Sequence, residues 1–329
     1  MRRREFITLF GSAAAAWPLA AAHAQQPQMP VIGWLSSGSP DADNSFRLPS
    51  FRLGLSEMGY TEGRNVAIEY RQAEDQVERL PALAADLAGR QVSLILAAGV
   101  PACALAAKAA TTSIPIIFNN STDPLELGLV ASLNRPGGNI TGVTTVSAEL
   151  EAKRLGLLHE LVPSATSIAV LVNPTRAGLD AQLAQAQQAA QVLRLSLHIL
   201  RASNDPDLEA AFETLVQMRA GALMITVDGF FADRMDQIAR LAQRCSVPTM
   251  FQFREFAAAG GLMSYGPNVR EAYHQAGILA GRILKGEKPS DLPVTQPTKF
   301  ELVINIKTAK ALGLDVPLHL QQIADEVIE

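Results

Sequence analysis

The sequence predicts an α/β protein made of two similar, doubly wound parallel-sheet lobes joined by a three-segment hinge. Three observations predict it. Short apolar runs alternate with helix-period segments from residue 31 onward. The alternation begins afresh near residue 167 and repeats element for element. Three stretches then lead from one half into the other.

The first half reads in order. Residues 31–35 (VIGWL) are an apolar run opening into Ser36, Ser37 and Gly38, the pattern of a buried parallel strand that ends in a polar loop. Residues 46–58 carry apolar side chains at helical spacing and stop at Gly59. A second strand at 66–70, a helix at 80–88 and a third strand at 92–98 follow, the last ending at Gly99. Pro101 opens an alanine-rich helix to residue 110, because proline's fixed φ suits the first helical turn. The fourth strand, 114–118, ends at Asn119 and Asn120.

The second half repeats this register with a strand at 167–172 leading to Asn173 and Pro174, and a helix at 179–193 with Leu183, Ala186, Ala190 and Leu193 on one face. Strands at 195–200, 222–227 and 247–251 alternate with helices at 208–219 and 234–245, and Asp228 follows the third strand. Residues 141–145 leave the first lobe and 261–266 leave the second. A helix at 269–284 returns to the first lobe, and a strand at 301–306 crosses back. The expected lobes are 29–142 plus 267–298 and 143–266 plus 299–329.

The first 24 residues read as an export leader. Arg2, Arg3 and Arg4 precede Glu5, Phe6 and Ile7, then a weakly apolar stretch and an Ala-His-Ala ending at Ala24, which fits a twin-arginine signal; a Sec leader is the competing reading. The expected location is therefore the periplasm, with cleavage after Ala24. The formal charge is −4, and the leader removes three arginines and one glutamate, leaving −6. That balance argues against nucleic acid or an anionic membrane as the main partner. The remaining chain of about 305 residues exceeds one ordinary core, so two domains are expected in a monomer. Cys103 and Cys245 lie far apart in apolar helical stretches and read as buried free thiols.

Open α/β sheets bind ligands beyond the carboxyl ends of their strands, so two facing sets of strand ends predict one interlobe cleft for a small molecule. Ser36, Ser37 and the turn Gly99, Val100 and Pro101 form a candidate anion site at a helix N-terminus. Asp123 and Asp228 are the carboxylates placed for an ammonium or hydroxyl group. Asp123 also suits the cap of a helix at 125–134, which leaves Asp228 as the stronger candidate. Asn119, Asn120, Thr144 and Asn173 add neutral polar groups. Phe230, Phe251 and Tyr265 are candidate aromatic walls, whereas Trp34 and Phe118 read as core.

Catalytic signatures are lacking. His159, His198, His274 and His319 lie away from the predicted cleft without metal-ligand spacing, and the chain has no G-x-S-x-G elbow or Walker A loop. The first strand runs into SSGS in place of a G-x-G-x-x-G fingerprint, so no cofactor, metal or enzymatic activity is expected.

Asp123-Pro124, Gly128-Leu129-Val130, the RPGGN block at 135–139, Thr141-Gly142 and Ser264-Tyr265-Gly266 carry a family likeness. So do the LVIN block at 302–305, TAK at 308–310 and LGL at 312–314. Together they resemble the ABC-importer substrate-binding family typified by tryptophan- and tyrosine-binding proteins, over essentially the whole mature chain. The resemblance implies a type I periplasmic-binding fold, a carboxylate-bearing ligand, often an aromatic amino acid, and ABC permease subunits of the inner membrane as partners. A periplasmic sensor subunit serving a chemoreceptor or kinase would use the same cleft. The chain departs from the family pattern at Val100, where similar proteins often carry a hydroxyl residue.

Overall fold

The computed structural model describes residues 29–145, 150–176, 178–296 and 299–329. The expected leader lies outside the described residues. Five parallel strands form the first sheet in the order β2-β1-β3-β4-β5: β1 (Val31–Ser36), β2 (Ala67–Gln72), β3 (Leu94–Ala98), β4 (Ile116–Asn120) and β5 (Ile140–Thr144). The second sheet repeats that winding with β6 (Ser167–Val172), β7 (Ser196–Arg201), β8 (Ala222–Ile225), β9 (Thr249–Phe251) and β10 (Met263–Pro267), in the order β10-β9-β8-β6-β7.

Two strands extend the second sheet beyond the repeat. β11 (Phe300–Asn305) pairs antiparallel with β10, and β12 (Glu326–Ile328) pairs parallel with β11. The all-parallel expectation therefore holds for β1 to β10 but not for this edge. β11 follows directly on a crossing from the other lobe, so it needs no helical return to reverse its direction.

Helices cover both sheets: α1 (Pro40–Ala42), α2 (Leu48–Glu57), α3 (Leu80–Gly89), α4 (Pro101–Ala110), α5 (Glu151–Leu161), α6 (Leu179–Leu193), α7 (Asp205–Met218), α8 (Gly229–Asp233), α9 (Met235–Arg244), α10 (Arg254–Ala258), α11 (Val269–Leu284), α12 (Ile306–Ala311) and α13 (Leu318–Ile323). A π turn over Asp43–Arg47 joins α1 to α2. α7 shows the local logic well. The Asn204 side chain accepts a hydrogen bond from the Asp207 N–H, Pro206 fits the first turn, and Leu208, Ala211, Phe212 and Leu215 form its buried stripe.

The segment 125–134 is a series of turns rather than the expected helix, since Gly128 adopts φ +62°. α1, α5, α8, α10, α12, α13 and β12 had no counterpart in the sequence reading.

The chain passes between the lobes three times. β5 leads towards α5, β10 into α11, and the segment after Leu284 back to β11. α11 packs on α2 with backbones almost touching: a Cβ on Gly54 would lie 2.0 Å from the His274 carbonyl oxygen, and one on Gly277 would lie 2.2 Å from that of Phe51. The first and third crossings are tied together, because the Thr295 N–H donates to the Gly142 carbonyl at 2.9 Å and the Thr144 N–H donates to that of Thr295 at 2.9 Å.

Candidate functional site

In each sheet the winding reverses between the first and third strands, β1/β3 in one lobe and β6/β8 in the other, and there the loops part to leave a crevice. The two crevices face each other and enclose a cavity of about 310 Å³. Ser37, Gly99, Val100, Pro101 and Thr122 line it from the first lobe; Asn173, Arg176, Asp228, Phe230 and Asp233 line it from the second. A smaller chamber of about 40 Å³ adjoins it, sharing Gly99, Ser121, Asp228 and Gly229 and reaching Asn119, Asn120, Gln252 and Tyr273. A larger depression of about 560 Å³ lies at the amino ends of β9 and β10, remote from both crevices.

Local chain geometry places these groups. Gly99 has φ +98°, a left-handed conformation that glycine accepts freely, and it turns the chain from β3 so that α4 begins at the cavity wall. Val100 is the extended residue before the helix and Pro101 its first residue, so no side chain caps α4. On the opposite wall, Asp228 is the N-cap of α8: its Oδ1 accepts from the Phe230 N–H at 2.9 Å and from Asn173 Nδ2 at 3.0 Å. The Asn173 Oδ1 accepts from both the N–H and the hydroxyl of Thr175, fixing its amide.

The charges sort into paired and available groups. Asp233 meets Arg47 of the first lobe, and Asp75 accepts from Arg234 Nη2 at 3.0 Å. Asp228 and Arg176 remain as opposite charges on the second-lobe wall. Burial pulls the Arg176 guanidinium below its ordinary value, against the fields of Asp228 and Glu151, so a further anion there would be stabilised. Arg176 Nε and Thr122 Oγ1 are buried and have no hydrogen-bond partner among the described residues. The same holds for Asn119 Nδ2, Asn120 Nδ2 and Gln252 Oε1 in the smaller chamber. Such groups are costly unless something pairs with them.

Behind this wall, Glu151 and Arg154 form a fully buried ion pair at 3.1 Å, and Arg154 Nε donates to the Tyr265 carbonyl. Burial raises the Glu151 carboxyl above its usual range despite the facing arginine.

Of the expected residues, Ser37, Gly99, Val100, Pro101, Asn173, Asp228 and Phe230 come together at the cavity. Asn119 and Asn120 reach the smaller chamber, as the final residues of β4 rather than its sequel. Ser36 does not line the cavity; its hydroxyl donates to Asp43 Oδ2 at 2.6 Å. Thr144 is fully buried in β5 at the first crossing. Asp123 lies off both cavities, where it accepts from the Leu125 N–H at 2.8 Å as a turn cap.

Two aromatic candidates belong to the packing. Phe251 is fully buried against Phe253 and Phe256, and Tyr265 packs beside Phe300 within the second lobe. Trp34 is core as expected, stacked on Tyr273 and edge-on to Phe51. Cys103 is buried, and burial pushes its thiol up to about 12; Cys245 is partly exposed, and both are free.

Arg176, Thr122, Asp233 and Arg47 were missed by the sequence reading. Among the described residues no group of three or more His, Cys, Asp or Glu side chains could hold a metal ion, and no helix is long and apolar enough to cross a membrane.

A family model described as ABC transporter substrate binding protein matches residues 48–328. A tyrosine-binding protein of Clostridioides difficile (strain R20291) is 29% identical over 264 residues, 80% of this chain and 75% of that one. The solved structure of an ABC domain in complex with L-Trp from Streptococcus pneumonia superposes with a TM-score of 0.80 at 23% identity, covering 92% of this chain and all of that one. A ligand-free, open substrate-binding protein with adhesive properties from Clostridium difficile gives a TM-score of 0.65 at 25% identity, covering 91% and 99%.

Proposed function

This chain belongs to the ABC transporter substrate-binding protein family, a non-enzymatic class, and we propose that it captures a free amino acid in the interlobe cavity for an ABC importer. The observation that carries this reading is that Asp228 and Arg176, of opposite charge, share a cavity wall whose other charges are already matched. A zwitterion presents one charge of each sign, so its ammonium would meet Asp228 and its carboxylate Arg176 and the Thr122 hydroxyl, in charge-assisted hydrogen bonds. The volume of about 310 Å³ sits at the lower edge of the ~300–1,000 Å³ usual for small-molecule sites, which suits a single amino acid.

An aromatic side chain is favoured by Phe230 on the cavity wall, whose ring is held by the Arg234 guanidinium 3.9 Å from its centroid. The tyrosine- and tryptophan-related relatives support the same choice. The lobes close on the ligand by rotating about the three crossings, near residues 143, 267 and 299. The contacts across the cleft, and the weaker superposition on the open relative, support a closed form here. Delivery to permease subunits outside the cytoplasmic membrane, by a monomeric protein without catalysis, completes the reading.

Calorimetric titration with tyrosine, tryptophan and phenylalanine, using leucine and indole as controls, tests it. Binding of an aromatic amino acid but not of indole is expected. Failure to bind any amino acid would remove the zwitterion reading.

A further inference from the structure

Arg47 and Asp233 form a charge contact that spans the cleft, with side chains only 5% and 6% exposed. Arg47 belongs to the π turn of the first lobe and Asp233 ends α8 in the second. The first-lobe half is built in advance. Asp43 Oδ2 accepts from Trp34 Nε1 at 3.0 Å, Ser36 Oγ at 2.6 Å and Gln72 Nε2 at 2.7 Å, while its Oδ1 accepts from Arg47 Nη1 at 3.3 Å. Four donors fix Asp43, and Asp43 fixes Arg47. Gly38 leaves the space that Asp233 enters, since a Cβ there would lie 2.9 Å from Asp233 Oδ2 and 3.3 Å from Arg47 Nη1.

We infer that Arg47 is a positioning residue for ligand affinity: a preset cation that admits Asp233 on closure and so sets how readily the lobes shut. This rests on the proposed binding function; Arg47 lies off the cavity of about 310 Å³, in the wall of the smaller chamber beside it.

Charge counting makes the role asymmetric. In the closed form two carboxylates, Asp43 and Asp233, share one guanidinium. Without Arg47, closure would bring two buried carboxylates together uncompensated, a heavy penalty. Without the Asp233 charge, Arg47 still has Asp43, and closure loses little. Since affinity scales with the fraction of protein able to close, the first loss appears as weaker binding and the second barely appears.

The experiment is titration of wild type, Arg47→Met, Asp233→Asn and the double variant with tyrosine and tryptophan, with small-angle scattering of each protein before and after ligand. Arg47→Met should bind roughly 100-fold more weakly and remain more expanded; Asp233→Asn should stay within about tenfold of wild type; the double variant should regain most of the loss. Gly38→Ala, which obstructs the contact without removing a charge, should weaken binding and hinder compaction, and it serves if Arg47→Met does not fold. Wild-type affinity in Arg47→Met, or no recovery in the double variant, would overturn the inference. If wild type binds neither amino acid, the ligand reading fails on its own. The ligand-free scattering then decides: expansion on Arg47→Met that Asp233→Asn reverses sustains the role of Arg47, and indistinguishable profiles overturn it.

Discussion

Val100 and Gly229 meet face to face across the cleft, so closely that a Cβ added to Gly229 would lie 2.3 Å from Val100 Cγ1. Position 229 must therefore remain without a side chain while position 100 carries a branched one. Gly229→Ala should hold the lobes apart and weaken amino acid binding by tenfold or more, because overpacking typically costs about 1–3 kcal/mol. Adding Val100→Ala to that variant should restore affinity. Calorimetric titration of the three proteins checks this, and full affinity in the single Gly229→Ala variant would refute the contact's role.

The two acidic candidates separate by consequence. Asp228→Asn keeps the shape of the residue but removes its charge, and should cost about 2–5 kcal/mol of binding, roughly 30-fold or more. Asp123→Asn should leave affinity unchanged and shift stability by no more than about 1 kcal/mol, as expected for a turn cap. Parallel ligand titration and urea unfolding distinguish them.

Stability should depend on pH through His274, which joins α11 to α2 by a 3.0 Å contact with Glu57. Burial alone would lower its pKa, but the hydrogen bond and charge of Glu57, with Glu271 nearby, raise it above 6.5. A histidine raised in the folded state stabilises fully below its unfolded pKa, and that contribution fades as pH rises through the folded value. The partner is half exposed, so the effect should stay below about 1 kcal/mol. Urea midpoints at about pH 6 and about pH 8.5 should differ in wild type, and the difference should shrink in His274→Gln. An unchanged difference would place the pH dependence elsewhere.

Export should depend on the arginine pair. Arg3→Lys with Arg4→Lys should keep the precursor in the cytoplasm if the leader is of the twin-arginine type. Fractionation of cells with and without that pathway reads the outcome, and unchanged yield in cells lacking it would mark a Sec leader.

Much of the architecture was legible because apolar strands and polar strand ends are local signals. Asn173 stands directly after an apolar run and Asp228 after one broken only by Thr226, and both reach the cavity. Phe251 has the same local signature, yet it faces Phe253 and Phe256. Which face a terminal strand residue takes depends on the helix that covers it. Arg176, Arg47 and Asp233 lie beyond the strand ends, in segments whose course is set by distant contacts. Their pattern in the sequence is that of ordinary surface charges. The expected helix at 125–134 failed at a residue the sequence displays, Gly128, which takes a positive φ inside the segment.

The interleaved order of the chain has a consequence for how the protein is made. During synthesis the first lobe lacks α11 until residue 284 has emerged, and the second sheet lacks β11 and β12 until the last residues are in place. Until then α2 has no partner for the backbone contact at Gly54, and β10 ends in an uncovered edge. The first half therefore cannot mature until most of the second has been made, and the second is completed only after the first. A chain cut short after α11 would present an unpaired strand to proteases or to other nascent chains, so ribosomes that stall late yield material for degradation rather than a working half.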